Sequence, residues 1–373
     1  MKRGTMKKAG ILLTCAVFAA TTTINTTVTI ANAETEISGD YEQYETSISS
    51  VLSLYQYFTY GDAVIGGGGH TVGAIVVGGE LKLDNSFGDA AIVPSFVNTW
   101  TKGNVGNGWH GSTKVDTVYY GTKSDSVSGG TAICDPDYID VAAAFSEIQK
   151  ESKALSDASD LVTAANGVIT IDCRNVTGDV YAKVNYEDIA KGAAINVLVD
   201  NVDWFSENVL AVSIVGVNDS NIKISGYYST LRINGSGISN ALKNMSGADS
   251  EFGSQMNLSG MNLIWNFPDA EGTITFEGLG GHVVAPGAVL DFSSGNYEGG
   301  LIAKSISSAS GSEGHFYPMS KTLSVDTGDT DEDDTEDANK EDTSDPEDTE
   351  DTEDTENNDD SEDEDDSEDE DDS

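Results

Sequence analysis

From residue 168 to about 320 the chain breaks into short β-prone runs closed by Asn, Asp or Gly, and this punctuation constrains the fold most. Residues 168–173, 179–184, 194–199, 209–215, 221–224 and 231–233 form one series. Residues 273–276, 282–285, 289–292 and 301–304 form a second. Asp172, Asn175, Asp200, Asn201, Asp203, Asn218, Asp219 and Asn234 gather at the ends of the first series. Short runs with such turn residues describe extended segments that fold back on one another repeatedly. No fixed period links them, which argues against a regular solenoid. The expectation is a mainly β fold: an irregular right-handed β-helix-like stack with a narrow Val/Ile core. A β-sandwich is the alternative, because periodicity alone does not separate the two.

One segment reads differently. In residues 136–165, Val141, Phe145, Ile148, Leu155 and Val162 recur at helical steps and make a single apolar stripe. Asp135-Pro136 supplies a cap and a first-turn proline, and Asn166-Gly167 a stop. The opposite face carries Glu147, Lys150, Glu151, Lys153 and Asp157. The spacing predicts one long amphipathic helix packed alongside the stack.

Charge is unevenly distributed. The 373 residues include 64 acidic and 19 basic side chains, a net charge of −45. About 30 of the acids follow Ser320, in a run without aromatics after Asp326. Such a run cannot bury enough apolar surface to offset its ordering entropy, so residues 321–373 are expected to be a disordered acidic spacer. Residues 34–320 keep an excess of roughly 20 negative charges. An acidic surface repels phosphate backbones, which argues against nucleic acid as a partner.

The N-terminus has the layout of an export signal. Lys2, Arg3, Lys7 and Lys8 precede a short apolar run, and Ala31-Asn32-Ala33 offers a small-residue cleavage site. Residues 1–33 are therefore expected to be removed, leaving a secreted chain, cell-wall associated in one version of this reading, with no transmembrane segment. Residues 34–50 are polar and expected to be flexible, with the folded domain spanning 51–320. Cys134 and Cys173 would remain. They are either a disulfide or two unpaired small hydrophobes, and their spacing makes no zinc site.

Several literal words carry a family likeness. Trp265-Asn266-Phe267-Pro268-Asp269-Ala270, Val284-Ala285-Pro286-Gly287-Ala288, Gly300-Leu301-Ile302-Ala303 and Glu313-Gly314-His315 form the closing segment. The opening has an aromatic-rich start at 51–58, the glycines Gly66, Gly67, Gly68 and Gly69, and then Val76-Val77-Gly78-Gly79. Together these resemble the choice-of-anchor A domain of exported bacterial surface proteins. The resemblance implies an adhesin that binds a host or matrix protein or glycan. A structural surface-layer component is the second reading.

Chemistry-bearing patterns are sparse. The glycine loop lacks a Gly-Lys-Ser/Thr ending and is followed by another β run, so it reads as a corner, not a phosphate cradle. No metal-binding spacing surrounds His70, His110, His282 or His315, and no GxSxG elbow occurs. A β-helical polysaccharide lyase needs cationic groups, yet Arg174 and Arg232 are the only arginines of the domain. The expectation is no enzyme and no cofactor, with at most weak Ca2+ binding by the acidic tail. Trp100, Trp109 and His110 are the candidate binding anchors, on a polar, glycine-rich segment. Glu313 and His315 read as a clasp on the last rung, or alternatively as an acid–base or metal-ligand pair. Trp265 is expected in the core.

Overall fold

The computed structural model describes residues 47–65, 73–83, 99–101, 104–105, 117–124, 131–226, 230–238, 261–308 and 314–327. The unit Asp329–Ser373 lies outside them. A short helix α1 (Ile48–Leu54) opens the fold, capped by the Ser47 hydroxyl, which accepts from the Ser50 amide at 3.1 Å. The first rung follows as β1 (Tyr55–Thr59) and β2 (Ala63–Ile65). Further rungs are β3 (Ala74–Val77) with β4 (Leu81–Leu83), β5 (Thr99–Thr101) with β6 (Asn104–Val105), and β7 (Thr117–Tyr120) with β8 (Lys123–Ser124). β9 (Thr131–Cys134) ends this half, and the long helix α2 (Val141–Asp157) comes next.

The second half contains β10 (Asp160–Leu161), β11 (Val168–Asp172), β12 (Val180–Asn185), the short helix α3 (Tyr186–Ala190) and β13 (Ala194–Leu198). After helix α4 (Trp204–Glu207) come β14 (Leu210–Val215), β15 (Ile222–Ser225), β16 (Leu231–Ile233) and β17 (Ser236–Gly237). The closing strands are β18 (Leu263–Asn266), β19 (Thr273–Gly280), β20 (His282–Glu298), β21 (Leu301–Ser308) and β22 (Gly314–His315).

Almost every pairing is parallel, which decides for the β-helix-like stack against a sandwich built from antiparallel sheets. One parallel column runs β10-β12-β14-β18-β20-β21-β1-β3-β5-β7-β9. A second runs β15-β19-β20-β21-β2-β4-β6-β8. β11, β13 and β16 form a third, separate sheet, to which β17 adds an antiparallel pair.

The order is not that of the chain. The last long strand pairs with the first: Tyr57 faces Leu301, Phe58 faces Ile302 and Thr59 faces Ala303. The N-terminal half therefore stacks away from this seam in one direction. The chain then returns along α2 and builds the other half back towards it.

Burial follows from what covers each column. β1, β3 and β18 are buried at every position, and β14 at all but its last. Helix α2 lies against β12, β14, β18 and β20, and of these β14 and β18 read as nearly continuous buried runs. β11, with one face in solvent, alternates buried and exposed. Along the interior, Phe267, Phe276, Phe292, Tyr297 and Tyr57 form a file of rings with centroids 5.0–6.2 Å apart that crosses the seam.

Two sequence expectations need correction. The helix is shorter than 136–165: its cap is Asp140, whose carboxylate accepts from Ala143 N at 3.0 Å, while Asp135 lies in a turn bonded to Tyr120 O. At its other end Val162 leaves the apolar stripe, because its N–H bonds Lys183 O at the sheet edge. Residues 48–50 already belong to α1, and Leu323 is buried beyond position 320, so packing extends past both expected limits. Of the two readings of Cys134 and Cys173, the structure shows free thiols: Cys173 is buried in the core and Cys134 is exposed on β9.

Candidate functional site

Several Asn and Asp residues at strand ends bond the backbone of the next rung. Asp200 accepts from Asn175 N at 2.9 Å, Asp179 from Val209 N at 2.9 Å, and Asn221 from Thr273 N at 2.8 Å. Asn234, with φ 49, accepts from Val199 N and returns a bond to Val199 O. These side chains tie corner to corner, the role their local hydrogen-bonding habit suits. Among the described residues no group of three His, Cys, Asp or Glu could hold a metal ion.

The described residues include only some of the proposed site residues. Trp100 lies in β5 between Val76 and Tyr119; its side chain is outside the described residues. Trp109, His110 and Glu313 also lie outside them. Trp265 is fully buried and donates its indole N–H to Gly280 O at 2.8 Å. His315 is buried, with Nδ1 at 3.0 and 3.1 Å from the two carboxylate oxygens of Glu298. Burial and the same carboxylate, which accepts from the Tyr317 hydroxyl, raise that phenol above its ordinary range. Glu298 pairs with His315 through β20 and β22, so this cluster fastens the final rung.

A second buried histidine does similar work. His282 Nε2 lies 2.7 Å from Met261 O, and Nδ1 accepts from Gly300 N at 2.8 Å. The amide donor at Nδ1 fixes the neutral tautomer with its proton on Nε2. Complete burial drives its pKa down to about 4. Neither histidine is presented to solvent.

Among the described residues, a groove of about 530 Å3 opens where α2 passes the seam. One wall is the helix, through Ala142, Phe145, Ser146 and Gln149. The other comes from four successive rungs: Tyr60, Lys304, Pro286 with Gly287, and Glu271. Tyr60 N donates to Ala303 O at 3.1 Å and Gly61 N to Lys304 O at 2.7 Å, which sets Tyr60 beside Lys304. Gly78 lets the neighbouring rung approach: a Cβ there would lie 2.1 Å from Tyr60 O. This explains a glycine after the Val76-Val77 strand.

Tyr60 is 51% exposed, one of three exposed large hydrophobics among the described residues. Its ring stands edge-on to Phe145 at 5.5 Å, and Phe145 stacks on Phe58 at 5.6 Å. The groove therefore presents an aromatic platform anchored to the core. Sequence reading missed it, since Tyr60 is one of 14 tyrosines and Lys304 lies 244 residues further along.

Residues 48–316 match the family described as Putative Ice-binding-like adhesive domain. The chain belongs to that family. The match spans the stack from α1 to β22. No curated protein and no solved structure matches the chain. Among the described residues no helix is long and apolar enough to cross a membrane.

Proposed function

We propose that this chain is an exported bacterial adhesive module that binds an extracellular protein or glycan. The observation carrying this reading is the adhesive-family match across the whole stack. The closing-segment likeness to choice-of-anchor A domains supports display at the cell surface, and the signal-like residues 1–33 support export. In this reading the acidic residues 321–373 are a self-repelling spacer that holds the domain away from its point of attachment. The module works by binding and not by turnover. It needs no cofactor, and Ca2+ associates only diffusely with the spacer.

The second reading, a structural layer component, draws on one feature. Among the described residues β9 and β10 each pair on one side only, and Ile133 and Leu161 on them are 39% and 54% exposed. Unpaired edges at both ends of one parallel column suit end-to-end association.

The two are separated by measuring adherence of the mature chain to surfaces coated with matrix proteins or glycans, with light scattering in parallel. Saturable adherence by a monomeric chain is expected. Concentration-dependent assembly without adherence to any surface would transfer the assignment to the structural reading.

A further inference from the structure

The groove beside α2 differs chemically from the surface around it. Apart from Ala143, the exposed positions of α2 away from the groove are charged and paired, Lys150 with Glu147 at 3.2 Å and Lys153 with Asp157. The exposed positions facing the groove, Ala142, Ser146 and Gln149, are small or neutral. On the opposite wall Glu271 and Lys304 balance each other in a domain that is otherwise strongly acidic. Lys304 has no ion-pair partner among the described residues. The hydroxyls of Tyr60 and Ser146 and the amide of Gln149 likewise make no hydrogen bond to other described residues.

The floor is pre-formed. Tyr60 is braced by Phe145, so little rotamer freedom is lost when a ligand covers it. Gly287 admits the neighbouring corner, since a Cβ there would meet Ala270 O at 2.7 Å. A volume near 530 Å3 falls within the range that accommodates small ligands.

A ligand for this groove needs an apolar face for the tyrosine ring and a rim of hydroxyls for an amide, a carboxylate and an ammonium. A pyranose has that combination: C–H groups on one face, and vicinal hydroxyls that both donate and accept. We infer that the groove is a glycan subsite for a neutral saccharide, stacked on Tyr60 and hydrogen-bonded by Gln149 and Glu271. This rests on the adhesive reading and names the ligand class and the place.

The test uses the full mature chain with cellotriose, mannotriose, chitotriose and trigalacturonate, followed by calorimetry and ligand-observed NMR. At least one neutral trisaccharide is expected to bind saturably. Tyr60→Ala should weaken it about tenfold, the scale of losing an aromatic anchor. Tyr60→Phe should leave it largely intact, and Gln149→Ala should weaken it several-fold with unchanged thermal unfolding. Since Tyr60 touches the core through Phe145, Gln149→Ala keeps the test valid if Tyr60→Ala is destabilised. The inference is overturned if Tyr60→Ala and Gln149→Ala both bind as the parent does. It is also overturned if only trigalacturonate binds, through Lys304. Adherence to protein surfaces without binding of any saccharide overturns the glycan subsite and leaves the adhesive reading standing. Failure to adhere to any surface removes both.

Discussion

At the residue scale, the buried polar groups give the clearest consequences. His282 is neutral in the fold with a pKa of about 4, against an ordinary value of 6.5. The unfolded chain therefore takes up a proton that the folded chain refuses between those two values. The contribution is complete above pH 6.5 and is lost as pH falls towards 4, by roughly 3 kcal/mol at the limit. Urea unfolding of the parent and His282→Asn at pH 7.5, 6 and 4.5 checks this: the parent's advantage should shrink as the pH drops. Glu151 has the opposite sign. Burial raises its pKa, only partly offset by the bond from Ile48 N at 2.5 Å. A raised carboxyl pKa means stability that is present at low pH and lost as pH rises through the folded value. Glu151→Gln keeps an acceptor for Ile48 without a buried charge. It is expected to match or exceed the parent's stability at pH 7, measured by the urea midpoint, and to lose that advantage near pH 4.

At the scale of elements, α2 is held by more than its apolar stripe. Asn266 on β18 accepts from Ser152 Oγ at 2.6 Å, and donates to Ser152 O at 2.8 Å and Ser213 Oγ at 3.0 Å. All three residues are buried, so removing the amide strands several polar groups. Asn266→Ala is expected to cost about 2–3 kcal/mol and to raise hydrogen exchange selectively in α2, the element it docks. The asparagine was legible in the Trp265-Asn266-Phe267-Pro268 word, but its role was not. Its partners lie 114 and 53 residues away, and no local pattern marks a serine on a helix as the contact of a strand. Strand positions were far more legible. The run at 231–233 matches β16, and 168–173 differs from β11 by one residue, because alternation and Asn/Gly corners are local signals. Helices α3 and α4 left little trace, being too short to show a period.

At the scale of the whole molecule, the seam is the controlling feature. Tyr57 and Tyr297 meet there with ring centroids 5.7 Å apart, and Gln56 Nε2 donates to the Tyr297 hydroxyl at 3.1 Å. Each tyrosine truncated to Ala should cost about 3–5 kcal/mol, as large buried aromatics do. The double variant should cost clearly less than the sum, because both changes open the same joint. Denaturant titration of the four proteins checks this, and strict additivity would show that the rings do not act together. The groove beside α2 depends on the same joint, since Tyr60 follows β1 directly and Lys304 lies on its pairing partner β21.

The sequence by itself determined the β class, the single long helix, the acidic composition of the C-terminal run and the corner residues, because each is written in a window of a few residues. The order of the rungs and the groove were decided only by the tertiary structure. Pairing Phe58 with Ile302 depends on which unpaired edges are left once each half has stacked. That competition among long-range partners has no local signature in sequence.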